Sequence, residues 1–170
     1  MKKIIGITLA VALFAACESK HDLERGDKIP CFELAGANDT TVTSAELKDN
    51  YSLLLFFATW CPYCNWELPE VQKIYDKYNS RGNFKVWAIA REQHPDTVAA
   101  FFATHNYTFP VYADTNRSVF SQFAQNGIPR TYLVGPDGII IESIRGAERD
   151  SITGEVDMTV LTDALKEIFK

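Results

Sequence analysis

Two cysteines separated by two residues, in the run Trp60-Cys61-Pro62-Tyr63-Cys64, are the residues of this chain best suited to chemistry. Paired thiols can exchange a disulfide with another molecule, or they can supply half of a tetrahedral metal site. The context favours exchange. A continuous apolar stretch over residues 53–58 leads into the pair, and Pro62 suits the first position of a helix, where its missing N–H costs nothing. Cys61 then stands at the helix N-terminus and Cys64 one turn inside. The partial positive charge and free N–H groups of that terminus stabilise a thiolate. Cys61 is therefore expected to be the exposed, attacking thiol, and Cys64 the more buried one that resolves the mixed disulfide. A zinc site would need two more Cys or His ligands at workable spacing, and neither His94 nor His105 is so paired with the cysteines; no metal site is expected.

Two further signals sit near this pair in chemistry. Glu67 follows Cys64 by three residues on the same helix, so the two are neighbours on one face and the Glu67 side chain leans toward the cysteines. A carboxylate there can move the proton that thiol exchange requires; as a solvated surface charge it would do nothing. Ile128-Pro129 precedes a strand and is a candidate cis bond, which would turn the Ile128 backbone outward to pair with a substrate chain. Trp60 is expected to pack beside the disulfide. Arg91 and His94 read first as a helix cap or solvated loop, and second as contacts to a partner; Arg130 could contact a partner.

The elements that must position these residues follow from the apolar pattern. A hairpin is read around Gly36-Ala37-Asn38-Asp39 with a strand at Thr41-Val42-Thr43. Residues 52–58 form a strand buried on both faces. The cysteine helix runs over 62–79 with Cys64, Leu68, Val71, Tyr75 and Tyr78 inward, and Pro69 is expected to kink it. A second buried strand covers 84–90, a helix 95–105 buries Val98, Phe101 and Phe102, and a short strand covers 109–112. Asp114 or Thr115 caps a helix carrying Val119, Phe120 and Phe123 that ends near Asn126-Gly127. Strands over 131–134 and 139–144 make a hairpin, and a last helix from about 157 buries Val160, Leu161, Ala164, Leu165 and Ile168. The fold class is α/β: a three-layer sandwich, with a mixed sheet covered by helices on both faces. In such sheets functional residues gather beyond the carboxyl ends of parallel strands, where Cys61 lies.

Residues 1–16 read as a signal peptide: Lys2 and Lys3, a largely apolar run over residues 4–14, and the ending Phe14-Ala15-Ala16-Cys17. The small-small-Cys ending resembles a lipobox, with Cys17 lipidated and residues 17–28 a polar tether to a domain over 29–170. The chain carries a net charge of −5 and no basic block, which argues against nucleic acid as a partner. Of four cysteines, Cys17 goes to lipid and Cys61 pairs with Cys64, leaving Cys31, read as a free buried thiol.

Taken together, Ile29-Pro30-Cys31-Phe32-Glu33-Leu34, the segment from Phe56 through Cys64, Glu67-Leu68-Pro69, Asn126-Gly127-Ile128-Pro129-Arg130-Thr131-Tyr132-Leu133-Val134 and Pro136-Asp137-Gly138 resemble the TlpA/ResA-like branch of the thioredoxin superfamily. The resemblance implies a thioredoxin-like fold with an N-terminal β-hairpin and a central helix-strand insertion. It implies a redox disulfide Cys61–Cys64 with no other cofactor, a cis Pro129, and an acidic Glu67 beside the cysteines. It implies a monomeric, membrane-tethered, periplasmic enzyme exchanging disulfides with protein partners and an electron donor, as a reductase in processes such as cytochrome c maturation. A general oxidase or isomerase is the alternative. Three departures stand out: Pro62 follows the first cysteine instead of preceding the second, Leu55 occupies the place of thioredoxin's buried aspartate, and Cys31 replaces an Asp or Asn. A peroxiredoxin-like peroxidase would show Pro and Thr where Leu54 and Ala58 stand, and a copper-binding module would need more soft ligands than Met158.

Overall fold

The strand that precedes the cysteines organises the molecule, which we describe from a computed structural model over residues 21–35, 41–146 and 148–170. In chain order the elements are β1 (Glu33–Ala35), β2 (Thr41–Thr43), a 3₁₀ turn (Ser44–Leu47), β3 (Tyr51–Phe57), α1 (Pro62–Tyr78), β4 (Phe84–Arg91), α2 (Pro95–His105), β5 (Val111–Asp114), α3 (Phe120–Phe123), β6 (Arg130–Val134), β7 (Ile140–Arg145) and α4 (Thr159–Ile168). They build one seven-stranded sheet in the order β2-β1-β5-β4-β3-β6-β7. β3 and β4 are parallel, as are β4 and β5, whereas β6 runs antiparallel to both β3 and β7. The expected signal peptide, Cys17 and the turn at Gly36-Ala37-Asn38-Asp39 lie outside the described residues.

Period-two alternation within an all-apolar strand explains the two cores. Leu53, Leu55 and Phe57 point to one face, where they meet Leu68 and Val71 of α1, Val98 and Phe102 of α2, and Leu161 and Leu165 of α4. Leu54 and Phe56 point to the other, where Phe120, Phe123, Tyr132 and Trp87 pack around them. Phe56 stacks edge-on against Phe120 at 5.5 Å and lies 4.9 Å from Phe123. The second face is thus covered by aromatic rings on the single-turn α3 and by the 3₁₀ turn. The Asp114 carboxylate secures α3, accepting the amides of Phe120 at 2.7 Å and Val119 at 3.1 Å.

Five expectations are corrected. The strand read over 109–112 sits at Val111–Asp114, so Asp114 ends a strand while capping the helix after it. α3 stops at Phe123 rather than near Asn126, because Ala124 is extended. Phe101 is only partly buried, and Val160 is 56% exposed: α4 begins at Thr159, and its inward stripe is the i, i+4 pair Leu161 and Leu165. The described part of the supposed tether is packed on the domain. Leu23 donates its amide to the Phe123 carbonyl at 2.8 Å, Gly26 donates to Ile140 at 2.9 Å, and Leu23 lies against the second core. α1 continues through Pro69 to Tyr78. No helix among the described residues is long and apolar enough to cross a membrane.

The register of α4 can be checked by truncation. Leu165→Ala is expected to cost about 2–5 kcal/mol, as for a buried leucine, and Val160→Ala less than about 0.5 kcal/mol, as for a surface position. Urea unfolding of the two variants measures both, and equal losses would contradict this packing.

Candidate active site

Cys61 caps α1. Its backbone is extended (φ −82°, ψ 116°), and its sulfur accepts the Cys64 amide at 3.4 Å. The Cys61 carbonyl accepts the Asn65 amide at 3.1 Å, the first bond of the helix proper. The approach to this cap is tightly held. The Thr59 amide donates to Gln93 Oε1 and Gln93 Nε2 donates to Thr59 Oγ1, both at 2.7 Å, while Asn65 Nδ2 donates to the Thr59 carbonyl at 3.1 Å. The loop after β3 is thereby tied to the loop after β4, which parallel pairing brings to the same end of the sheet.

β6 starts at that end because it runs antiparallel to β3, with Arg130 opposite Phe56 and Thr131 opposite Leu55. The residues just before it therefore face the cysteine cap. The Ile128–Pro129 bond is cis. The Cys61 sulfur lies 3.7 Å from the Ile128 carbonyl oxygen and donates to it. Gly127 supplies the positive φ of +76° that this turn demands, a conformation open to glycine at little cost.

Both thiols are free and both are buried; Cys61 is 4% exposed and Cys64 is fully enclosed. The expectation of an exposed Cys61 is thus corrected: the Ile128 carbonyl lies against the sulfur, and the exposed residues are its neighbours in the chain. Trp60 is 64% exposed rather than packed down, and Tyr63 is 52% exposed. Tyr63 meets Trp66 edge-on at 4.9 Å, and the Arg149 guanidinium lies 5.3 Å above the Trp66 ring. The buried dithiol is thus flanked in the chain by exposed aromatic residues.

Glu67 lies behind the cysteines, 2% exposed. Thr131 Oγ1 donates to Glu67 Oε1, and Oε2 has no hydrogen-bonding partner among the described residues. Burial pushes the Glu67 carboxyl up to about 7 against the opposing pull of the Thr131 bond. Burial also pushes the Cys64 thiol strongly upward. Its bond to Cys61 and the charges of Cys61 and Glu67 add to that rise, and a backbone bond from Ala58 opposes it. Thr131 and Gln93 join the site only in three dimensions. Neither carries a local signal: Thr131 falls opposite Leu55 only through the antiparallel register of β6 on β3.

The remaining candidates lie elsewhere. Cys31 is exposed, against expectation, and lines a groove with Asp49, Val134 and Pro136 at the opposite end of the sheet from Cys61. Arg130, read as a partner contact, is 4% exposed and bonded to Asp22 and the Asn126 carbonyl. His94 caps α2, accepting the Asp96 amide at 3.3 Å, and Arg91 pairs with Glu92 at 2.7 Å. Among the described residues no cluster of three or more His, Cys, Asp or Glu could hold a metal ion.

A buried C-x-x-C pair on a helix N-terminus, with a cis-prolyl loop facing it across a mixed sheet, matches known proteins over most of this chain. The profile of the AhpC/TSA family covers residues 25–143. The chain is similar to the thiol-disulfide oxidoreductase ResA of Oceanobacillus iheyensis (30% identical, covering 85% of this chain and 79% of the relative) and to that of Bacillus subtilis (28%, covering 87% and 80%). Among solved structures it is similar to a putative thioredoxin from Neisseria meningitidis, with a TM-score of 0.70 at 26% identity over 84% of this chain and 91% of the other. Thiols, loop, sheet and relatives agree: the chain belongs to the AhpC/TSA family, as a ResA-like thiol–disulfide oxidoreductase of thioredoxin-like fold.

Proposed function

We propose that this enzyme reduces disulfides in protein partners outside the cytoplasm through Cys61 and Cys64. The observation that carries the reading is the placement of the two cysteines, one helical turn apart at the N-terminus of α1, beside the Ile128 carbonyl. The Cys61 thiolate attacks one sulfur of the partner's disulfide, forming a mixed disulfide and releasing the other sulfur as a thiolate. Cys64 then loses its proton and attacks the Cys61 sulfur. The mixed bond breaks, the Cys61–Cys64 disulfide forms, and the partner leaves as a dithiol. Two electrons pass to the partner, and the two thiol protons end on its sulfurs.

Cys64 is the harder step, because burial holds its proton. Glu67 stands one helical turn away, and an acid near 7 is partly ionised at neutral pH, so its carboxylate can accept that proton and return it later. Ile128 and Pro129 are assigned the substrate-pairing edge, and exposed Trp60 a contact with the partner. The resemblance to the TlpA/ResA-like branch supports reduction over general oxidation or isomerisation, with cytochrome c maturation as one setting, and the disulfide as the sole redox group. Lipidation of Cys17 after removal of residues 1–16 would tether the enzyme to a membrane facing the periplasm. Asp22 bonds to Gln125 and Arg130 at the cysteine end of the sheet. The five residue steps from Cys17 to Asp22 reach at most about 18 Å when fully extended, so such an anchor would hold the dithiol close to the bilayer.

Insulin disulfide reduction should disappear in Cys61→Ser; undiminished turnover would sink the assignment. In Cys64→Ala, the partner should remain linked to Cys61 as a mixed disulfide that mass spectrometry identifies, and an oxidised C-x-x-C-H peptide left unreduced by the wild type would exclude cytochrome maturation. Glu67 makes a separate prediction. Its acid lies near 4.5 when unfolded and about 7 when folded, so between these values the folded state binds more protons. Stability is highest below the unfolded value and falls as pH rises through the folded one, by about 3 kcal/mol. Urea denaturation of the reduced protein between about pH 4.5 and about pH 8 should show this loss in the wild type and its removal in Glu67→Gln. An identical pH dependence in both would show that Glu67 is not raised.

A further inference from the structure

Asp22 stands more than a hundred residues before the cis-prolyl loop in the chain, yet its carboxylate holds both ends of that loop. Oδ1 accepts the Gln125 amide at 2.7 Å, and Oδ2 accepts Arg130 Nη2 at 2.7 Å. The same Arg130 nitrogen donates to the Asn126 carbonyl at 2.8 Å, which closes the loop on itself. Arg145 approaches Asp22 Oδ2 at 3.3 Å from the outer side. Between the two anchored ends lie Gly127, Ile128 and Pro129, and the Ile128 carbonyl is the group 3.7 Å from the Cys61 sulfur.

The pair is shielded from water. The Arg130 side chain is 5% exposed and that of Asp22 14%, so solvent screens the interaction far less than at a surface pair. Removing the Asp22 charge would leave a buried guanidinium without its counter-ion and free to draw the Asn126 carbonyl elsewhere. The Gln125 amide, then Arg130, hold the Asp22 acid below the usual carboxylate range. The segment carrying Asp22 has other means of staying in place. The Leu23 amide donates to Phe123, Ser143 Oγ donates to the Leu23 carbonyl at 3.2 Å, and Leu23 packs on the second core. Both oxygens of Asp22 are thus directed at the loop, while its neighbours seat the strap.

We propose that Asp22 is a positioning residue for exchange with polypeptide substrates: through Arg130 and the Gln125 amide it fixes the height of Ile128 beside Cys61, where an incoming chain pairs. This rests on the assignment of Ile128 to the substrate-pairing edge. The brace acts on the partner's chain and not on the sulfurs, so it favours polypeptide disulfides over small ones.

The test compares reduction of insulin with that of bis(2-hydroxyethyl) disulfide by the full-length protein, with dithiothreitol as the electron source. In Asp22→Asn, KM for insulin should rise about tenfold with kcat within about twofold, and the rate with the small disulfide should be unchanged. Arg25→Gln, which breaks an exposed pair with Glu142 on the same strap, should change neither. Where Asp22→Asn fails to fold, Asp22→Asn/Arg130→Gln removes both charges together, leaves none buried alone, and should show the same KM rise. Unchanged insulin kinetics in a folded variant overturn the proposal, as does an equal loss toward both substrates. A wild type with no preference for insulin over the small disulfide would instead overturn the assignment of Ile128.

Discussion

Everything at the site depends on β3 being paired on both edges and buried on both faces. Parallel pairing with β4 sends both strands out at one end of the sheet, so the loops carrying Thr59 and Gln93 meet there. Antiparallel pairing with β6 makes the third strand begin where β3 ends, which brings Ile128 to Cys61. A polar group without a partner in such a strand costs roughly 1–3 kcal/mol, which fits its run of Leu and Phe. That run in turn fixes the surroundings of the cysteine helix, because the same Leu53, Leu55 and Phe57 that close the core are what α1 packs against.

The chemistry of Glu67 follows from that packing. A carboxylate enclosed by apolar side chains loses its hydration, and one hydrogen bond from Thr131 returns only part of it. A bond to a charged group contributes roughly 1.5–3 kcal/mol, yet the acid still ends well above its ordinary range, so burial outweighs the bond. Thr131 does not neutralise this effect; it orients the carboxyl and leaves the second oxygen without a partner among the described residues. Thioredoxin's buried acid stands on the central strand, at the position of Leu55. Here the carboxyl comes from the helix, and the strand opposite Leu55 supplies only a hydroxyl.

Much of this was legible from residue order alone, for a physical reason. β3, α1, β4 and α2 are local objects: continuous apolar runs, or proline at the first helical turn, set their limits to within about a residue. What escaped was long-range. The Glu67–Thr131 bond joins residues 64 apart and the Asp22–Arg130 pair residues 108 apart, and no periodicity reports such distances. Arg130 looked like a surface cation because arginine usually is one; a counter-ion from the N-terminal strap allows its burial. The polar composition of residues 21–28 suggested a tether for the same reason, since backbone hydrogen bonds and one leucine, not hydrophobic content, hold it down. Cys61 misled in the opposite sense. A helix N-terminus implies exposure, but the loop before β6 covers it.

That cover bears on how a buried nucleophile can exchange at all. Thiolate attack requires access to the sulfur as well as thiolate character. With Cys61 nearly enclosed, a disulfide held in a compact partner would meet Trp60 and Tyr63 before it met the sulfur. A cysteine on an extended segment avoids that obstacle, since its backbone can lie along the loop at Ile128 while its side chain reaches inward. The exposed rings then become contact surface, and aromatic residues are the side chains that most often dominate binding at such surfaces. On the proposed function, selection of substrates is therefore divided between two parts of the molecule: the dithiol decides what chemistry is possible, and the rim of Trp60, Tyr63 and Ile128 decides which chains can present a disulfide to it.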